Sequence, residues 1–160
     1  MSLNAALALR RYHAADRDAV AQLNAYGLAA AGIDLDEDYY EGEDLADIDS
    51  TYGERARGFL VIGELNKQVV AMGGIRRLDN DTCELLRMRV APDYQGRGYG
   101  RAVLNRLEAE ARRLGYSLIQ LITGEHQHPA VDLYLRHGYQ VTKREMLLGI
   151  PSVYMAKQIV

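Results

Sequence analysis

The stretch Gln95-Gly96-Arg97-Gly98-Tyr99-Gly100 joins two different hydrophobic patterns. Upstream, Glu84-Leu85-Leu86-Arg87-Met88-Arg89-Val90 reads as a strand, followed by a turn at Ala91-Pro92-Asp93-Tyr94. Downstream, Val103, Leu104, Leu107, Ala111 and Leu114 recur at helical spacing from about Gly98 until Gly115 stops the run. A strand, a glycine-rich turn and a helix N-terminus gather backbone N–H groups around one point. The first four N–H groups of a helix have no intrahelical acceptor, and the helix dipole adds positive charge there. Glycines at 96, 98 and 100 leave no Cβ between that backbone and an anion. The stretch therefore reads as a phosphate site.

Two common owners of such a site are excluded by spacing. A P-loop needs Lys followed by Ser or Thr after its glycines, and neither pair follows here. A dinucleotide loop needs GxGxxG and an acid near the end of the next strand. This chain has GxGxG, and the next strand, residues 117–123, reaches no acid before Glu125. A third pattern, Gln/Arg-x-x-Gly-x-Gly/Ala, is met by Gln95, Gly98 and Gly100.

Further from the loop, the chain alternates strands and helices. Residues 7–11 read as a first strand. Asp16 stands where it can cap a helix with Ala19, Val20, Leu23 and Tyr26 on its apolar face. A short helix is expected around residues 45–52. Residues 58–65 and 68–76 form two strands about a tight turn at Asn66-Lys67, and residues 82–90 add a third to the meander. The 117–123 strand should lie parallel to the 82–90 strand because a helix connects them. Pro129 opens a helix to about Arg136, stopped by Gly138, and strands over 140–147 and 152–159 complete a mixed sheet.

The third loop pattern resembles the acyl-CoA loop of the GNAT superfamily of N-acetyltransferases, where it cradles the coenzyme A pyrophosphate. Two neighbours match that family in order. The strand before the loop carries Glu84, eleven residues before Gln95. Residues 118–139 contain Ala130-Val131-Asp132-Leu133-Tyr134-Leu135-Arg136-His137-Gly138-Tyr139, similar to the family's helix that carries a tyrosine and ends at Gly-Phe or Gly-Tyr. The resemblance implies an α/β (mixed α+β) fold, with a central mixed sheet of six to seven strands. In it the fourth and fifth strands splay apart, and about four helices flank the sheet. The chain, residues 1–160, is expected to be a single N-acetyltransferase domain.

The resemblance also implies acetyl-CoA as co-substrate and assigns residues to it. Backbone groups of Met88, Arg89 and Val90 would hold the pantetheine arm, with the Val90 N–H a donor for the tetrahedral oxyanion. Gln95, Gly96, Arg97, Gly98, Tyr99, Gly100 and Arg101 would hold the pyrophosphate. Gln127 stands where relatives have an arm-binding Asn, and Tyr134 lies beside the sulfur as general acid. Cations at positions 97 and 101 oppose the helix dipole, so an anion would relieve them. Glu84 matches the glutamate that deprotonates the amine through water, and desolvation between Cys83 and Leu85 would raise its pKa. Alternatively, Glu84 pairs with Arg87 or another cation, and Tyr134 is core packing. The acceptor is expected to be a small-molecule primary amine, attacking directly in a ternary complex. A protein or peptide amine, or a non-catalytic acyl-CoA-binding module, are the alternatives. Relatives are often dimers, so a homodimer is a further expectation.

Composition agrees with a soluble globular chain: 48% hydrophobic, 26% charged, net charge −3. That balance gives no reason to expect nucleic acid. No run of about 18 apolar residues predicts a membrane span, and no signal-peptide pattern opens the chain. The single cysteine, Cys83, fits a core position and a reducing, cytoplasmic setting. His126 and His128 supply at most two metal ligands, so no metal is expected. Between positions 33 and 50 lie Asp34, Asp36, Glu37, Asp38, Glu41, Glu43, Asp44, Asp47 and Asp49 with no Lys or Arg. With Tyr39, Tyr40 and Tyr52, this stretch suggests a cationic or amino-acid-like acceptor.

Overall fold

The computed structural model describes residues 6–32 and 42–160, so Asp34, Asp36, Glu37, Asp38 and Glu41, with Tyr39 and Tyr40, lie outside the described residues. In chain order the elements are β1 (Ala8–Arg11), α1 (Arg17–Ala30), α2 (Gly42–Ala46), α3 (Ile48–Tyr52), β2 (Phe59–Leu65), β3 (Gln68–Arg77) and β4 (Thr82–Val90). Then follow α4 (Tyr99–Arg113), β5 (Leu118–Gly124), α5 (His128–Arg136), β6 (Gln140–Leu147) and β7 (Ile150–Gln158). The turn at Asn66-Lys67 has φ 51° and 66°, the left-handed pair that lets two residues join twisted antiparallel strands. β2, β3 and β4 form the expected meander. The α4 crossover lays β5 parallel to β4. One seven-stranded sheet results, in the order β1-β2-β3-β4-β5-β7-β6.

The parallel pairing is short. β4 meets β5 only from Thr82↔Leu118 to Leu85↔Leu121, and beyond Leu85 the two strands part. The cause lies on the other edge of β4. Met72 opposes Arg89 and Gly74 opposes Leu86, so Arg87 and Met88 together face Gly73 alone. That extra residue is a β-bulge, and it places Arg87 at φ 59°. A bulge bends and over-twists its strand, here where the next strand diverges.

Each face of the sheet has its own core. On one, Val103, Leu104, Leu107 and Ala111 of α4 pack against Cys83, Leu85, Ile119 and Leu121. On the other, Val20 and Leu23 of α1 and Ile48 and Tyr52 of α3 cover Leu60, Ile62 and Met72. Gly74 makes the second contact possible, since a Cβ there would sit 2.6 Å from the Tyr52 ring. Two local expectations change. Asp16 precedes α1 but its side chain does not cap that helix: the carboxylate binds Arg10 at 2.7 and 2.8 Å and accepts the His13 N–H across the short turn over residues 14–16. Tyr26 lies on the exposed side of α1, while Val20 and Leu23 are buried.

Leu104 is fully buried beneath the parallel strands. Leu104→Ala is expected to cost about 2–5 kcal/mol of unfolding free energy, measured by urea denaturation.

Candidate active site

The loop that leads into α4 takes the shape its glycines permit. Gly96 and Gly98 have φ 76° and 84°, and a Cβ at either would point into open space. Among the described residues, no backbone acceptor meets the N–H of any residue from 96 to 101; the first helical bond runs from Ala102 N–H to Gly98 O at 3.1 Å. Gln95 ties the loop to the end of β4, donating from Nε2 to Val90 O at 3.1 Å. Arg97 donates to Asp93 O and lies 5.0 Å over the Tyr94 ring, and α4 has no acid in its first turn. Free N–H groups, the positive end of the α4 dipole and the Arg97 side chain thus share one short segment, and the first turn of α4 holds no acid to offset them, an arrangement suited to an anion.

The open edge of β4 begins beside this loop. Ala91 N–H bonds Val70 O at 2.8 Å, so by the alternation of an antiparallel ladder the Val90 N–H points the other way, into the splay. Met88 presents its backbone to the same side. Arg89, between them, opposes Met72 in the ladder and turns its backbone toward β3. A partner with amide groups can therefore extend the sheet along Met88 and Val90. Across the gap, Tyr134 of α5 is buried, with its ring edge-on to Tyr139 at 5.7 Å. Burial pushes its phenol up to about 12, with the charge of Arg89 working the other way. Gln127 precedes α5 without capping it by its side chain.

The opposite face of β4 carries a line of charged groups. Glu84 is paired with Arg76, its ladder partner on β3, at 3.2 Å. The cation is thus Arg76 and not Arg87. Arg87 instead grips Asp44 with Nε at 3.0 Å and Nη2 at 2.8 Å, and donates to Asn24 Oδ1 at 3.0 Å. Tyr52 donates to the same carboxylate at 2.6 Å. Burial works to raise the Asp44 pKa, but the bonds from Arg87 and Tyr52 and the Arg87 charge outweigh it and hold the group below its ordinary value. Sequence reasoning missed Asn24 and Arg76, and it took Asp44 and Tyr52 for parts of an acceptor-binding stretch, whereas they bind Arg87 and each other. Arg87 meets Asp44 and Asn24 across 43 and 63 residues, and no local spacing marks such pairs.

The profile of the acetyltransferase (GNAT) family matches residues 28–139. The chain belongs to the GNAT family. It is similar to N-acetyltransferase 8 of Rattus norvegicus, 32% identical over 104 residues, which covers 62% of this chain and 47% of the rat protein. The chain thus spans about half the length of that relative. Among solved structures, a GNAT-family acetyltransferase from Staphylococcus aureus Mu50 superposes with a TM-score of 0.85 at 20% identity, covering 97% of this chain and all of that one. The PaiA N-acetyltransferase of Thermoplasma acidophilum, in complex with coenzyme A, gives 0.75 at 18% identity over 96% and 99% of the two chains.

The seven-stranded mixed sheet with its parted β4 and β5 is the GNAT fold. Among the described residues, no group of three or more His, Cys, Asp or Glu side chains is placed to hold a metal ion. No helix among them is long and apolar enough to cross a membrane. Of the four acids described from the 33–50 stretch, two are engaged within the chain: Asp44 by Arg87 and Tyr52, and Asp47 by Ser50.

Because the Asp44 pKa is lowered on folding, its stabilisation is full above the unfolded value of about 3.9 and is lost as pH falls through the folded value. Asp44→Asn is expected to cost about 3 kcal/mol at pH 7. Its stability should then fall less than that of the wild type between about pH 5 and pH 2, as read by urea denaturation across that range.

Proposed function

We propose that the chain transfers an acetyl group from acetyl-CoA to the primary amine of a small molecule, by direct attack in a ternary complex. The observation that carries this reading is the open β4 edge running straight into an anion cradle with unsatisfied N–H groups. Coenzyme A has matching parts: amides along its arm and a pyrophosphate at its end. The GNAT neighbour with coenzyme A bound supports the same donor.

On this reading the residues divide the work. The N–H groups of Gly96, Arg97, Gly98, Tyr99, Gly100 and Arg101 take the pyrophosphate, with the Arg97 and Arg101 side chains adding charge. Gln95 holds the loop against Val90. Met88 and Val90 pair with the arm, and the Val90 N–H meets the carbonyl oxygen as it becomes an oxyanion. Arg89, between them, turns its backbone toward β3 and its side chain toward α1, so it pairs with no part of the arm. Gln127 faces the arm from the start of α5. An amine must lose a proton before or during attack, and Glu84 takes it through water while Arg76 holds the carboxylate in place. Attack forms the C–N bond and an oxyanion. Collapse of that oxyanion breaks the C–S bond and releases thiolate. A phenol with its pKa near 12 keeps its proton throughout the neutral range, so Tyr134 can hydrogen-bond that thiolate.

The experiment is a screen of primary amines for thiol release with acetyl-CoA. Turnover with small amines supports the reading, whereas tight acetyl-CoA binding with no release from any amine or peptide would convert it to a non-catalytic acyl-CoA module. Tyr134→Phe is expected to lower kcat by about ten- to a hundredfold while the acetyl-CoA Kd stays within about twofold. Gly98→Ala strains a left-handed position and puts a methyl group into the open cradle. It should weaken coenzyme A binding by about tenfold in calorimetry.

A further inference from the structure

One guanidinium on the charged face of β4 has no counter-charge among the described residues. Arg89 lies between β4 and α1, and its Nε is sealed from solvent with no hydrogen-bond partner among the described residues. Its terminal nitrogens are weakly served: one donates to Met88 O at 3.2 Å, the other reaches Asn24 Oδ1 only at 3.5 Å. That amide oxygen already accepts from Arg87 at 3.0 Å. The nearby carboxylate, Asp44, is committed to Arg87 and to the Tyr52 hydroxyl. Among the described residues no carboxylate lies within ion-pair distance of Arg89.

A desolvated cation without a counter-charge opposes folding, and arginine cannot escape by giving up its proton. Burial, and then the charge of Arg87, both work against its protonated form. The chain nevertheless makes room for it. α1 carries Gly27 against the Arg89 side chain, where any Cβ would collide with Nε and Cδ. The place is also a telling one. The Met88 carbonyl that Arg89 touches faces the splay, so the guanidinium stands at the mouth of the gap, and its charge is felt by the Tyr134 phenol.

We propose that Arg89 binds a carboxylate of the acceptor, so that the substrate is an amine carrying a carboxylate a few bonds from its nitrogen, of the amino-acid type. The inference rests on the acetyl-transfer reading above. A planar guanidinium matches a carboxylate in geometry and charge, and the incoming anion supplies the partner that the protein withholds. Anchored there, the acceptor has its amine free to approach a thioester lying along Met88 and Val90. A purely cationic acceptor would bring a like charge toward this guanidinium.

The test uses acceptor pairs that differ only in this group: amino acids and their carboxamides, assayed by thiol release with the full chain and acetyl-CoA. The wild type should favour the carboxylate by about a hundredfold in kcat/KM. Arg89→Met should collapse that ratio to within about threefold, and Arg89→Lys, which keeps the charge and loses the fork, should fall between. A wild-type ratio near one, or a ratio unchanged in Arg89→Met, overturns the proposal. A second measurement needs no turnover: thermal melting with coenzyme A present, titrated with the same pairs. Carboxylates that raise the wild-type Tm, amides that do not, and an Arg89→Met protein that responds to neither support the proposal. They do so even if no amine releases thiol, a result that would remove only the acetyl-transfer reading. Equal responses to both members of each pair in the wild type overturn it. Arg89→Met replaces a buried charge with an apolar chain, so the unliganded variant should melt at or above the wild-type temperature.

Discussion

At Arg87, β4 holds one residue more than β3 can pair, with its backbone in the left-handed region at φ 59°. For a side chain larger than glycine that conformation costs roughly 1–3 kcal/mol and persists only where the surroundings over-determine it. Here they do. The same residue is held by two hydrogen bonds to the buried Asp44 carboxylate and by Asn24. The bulge sits just past the last β4–β5 pair, Leu85↔Leu121, and bends β4 where β5 leaves it. The open edge, the direction of the Val90 N–H and the place of Arg89 all follow from this one irregularity.

The bulge also sorts the side chains of β4 between the two cores. Before it, Cys83 and Leu85 face α4, while Glu84 and Leu86 face the other side. After the extra residue, Met88 and Val90 return to the α4 side, and Arg89 points toward α1. One face of β4 is therefore apolar throughout and serves the core. The other carries Glu84, Arg87 and Arg89 in succession toward the open end. Burying such a face against α1 and α3 is tolerable because Arg76, Asp44, Tyr52 and Asn24 meet most of it. Arg89 is where the matching stops.

The α4 N-terminus shows the same economy in reverse. Arg97 and Arg101 stand where the helix dipole disfavours cations, and no acid of the first turn offsets them. Six consecutive N–H groups meet no backbone acceptor among the described residues. A charged ligand would satisfy all of these groups together. At both ends of the gap, then, positive groups lack a counter-charge among the described residues: N–H groups and arginines at the helix, one guanidinium just past the bulge.

What could be read from the sequence was local. The strand, glycine turn and helix around Gln95–Gly100 are encoded by adjacent residues, as are the two-residue turn at Asn66-Lys67 and the stop at Gly115. Hydrophobic spacing gave every strand of the sheet to within a few residues, because period and turn chemistry act over short stretches. The order β5-β7-β6 at the sheet's far side and the bulge at Arg87 were beyond such reading. So were the partners of Glu84, Asp16 and Arg87. Each of these depends on which of several equivalent charges comes within 3 Å. Arg76 wins Glu84 through strand register, Arg10 draws Asp16 away from its helix, and Asp44 reaches Arg87 across 43 residues. Coulombic and hydrogen-bonding groups carry no periodicity. Adjacent residues were enough for the elements and the glycine turn, because period and turn chemistry are local, whereas the pairing of charges such as Arg87 with Asp44 depends on segments that only folding brings together.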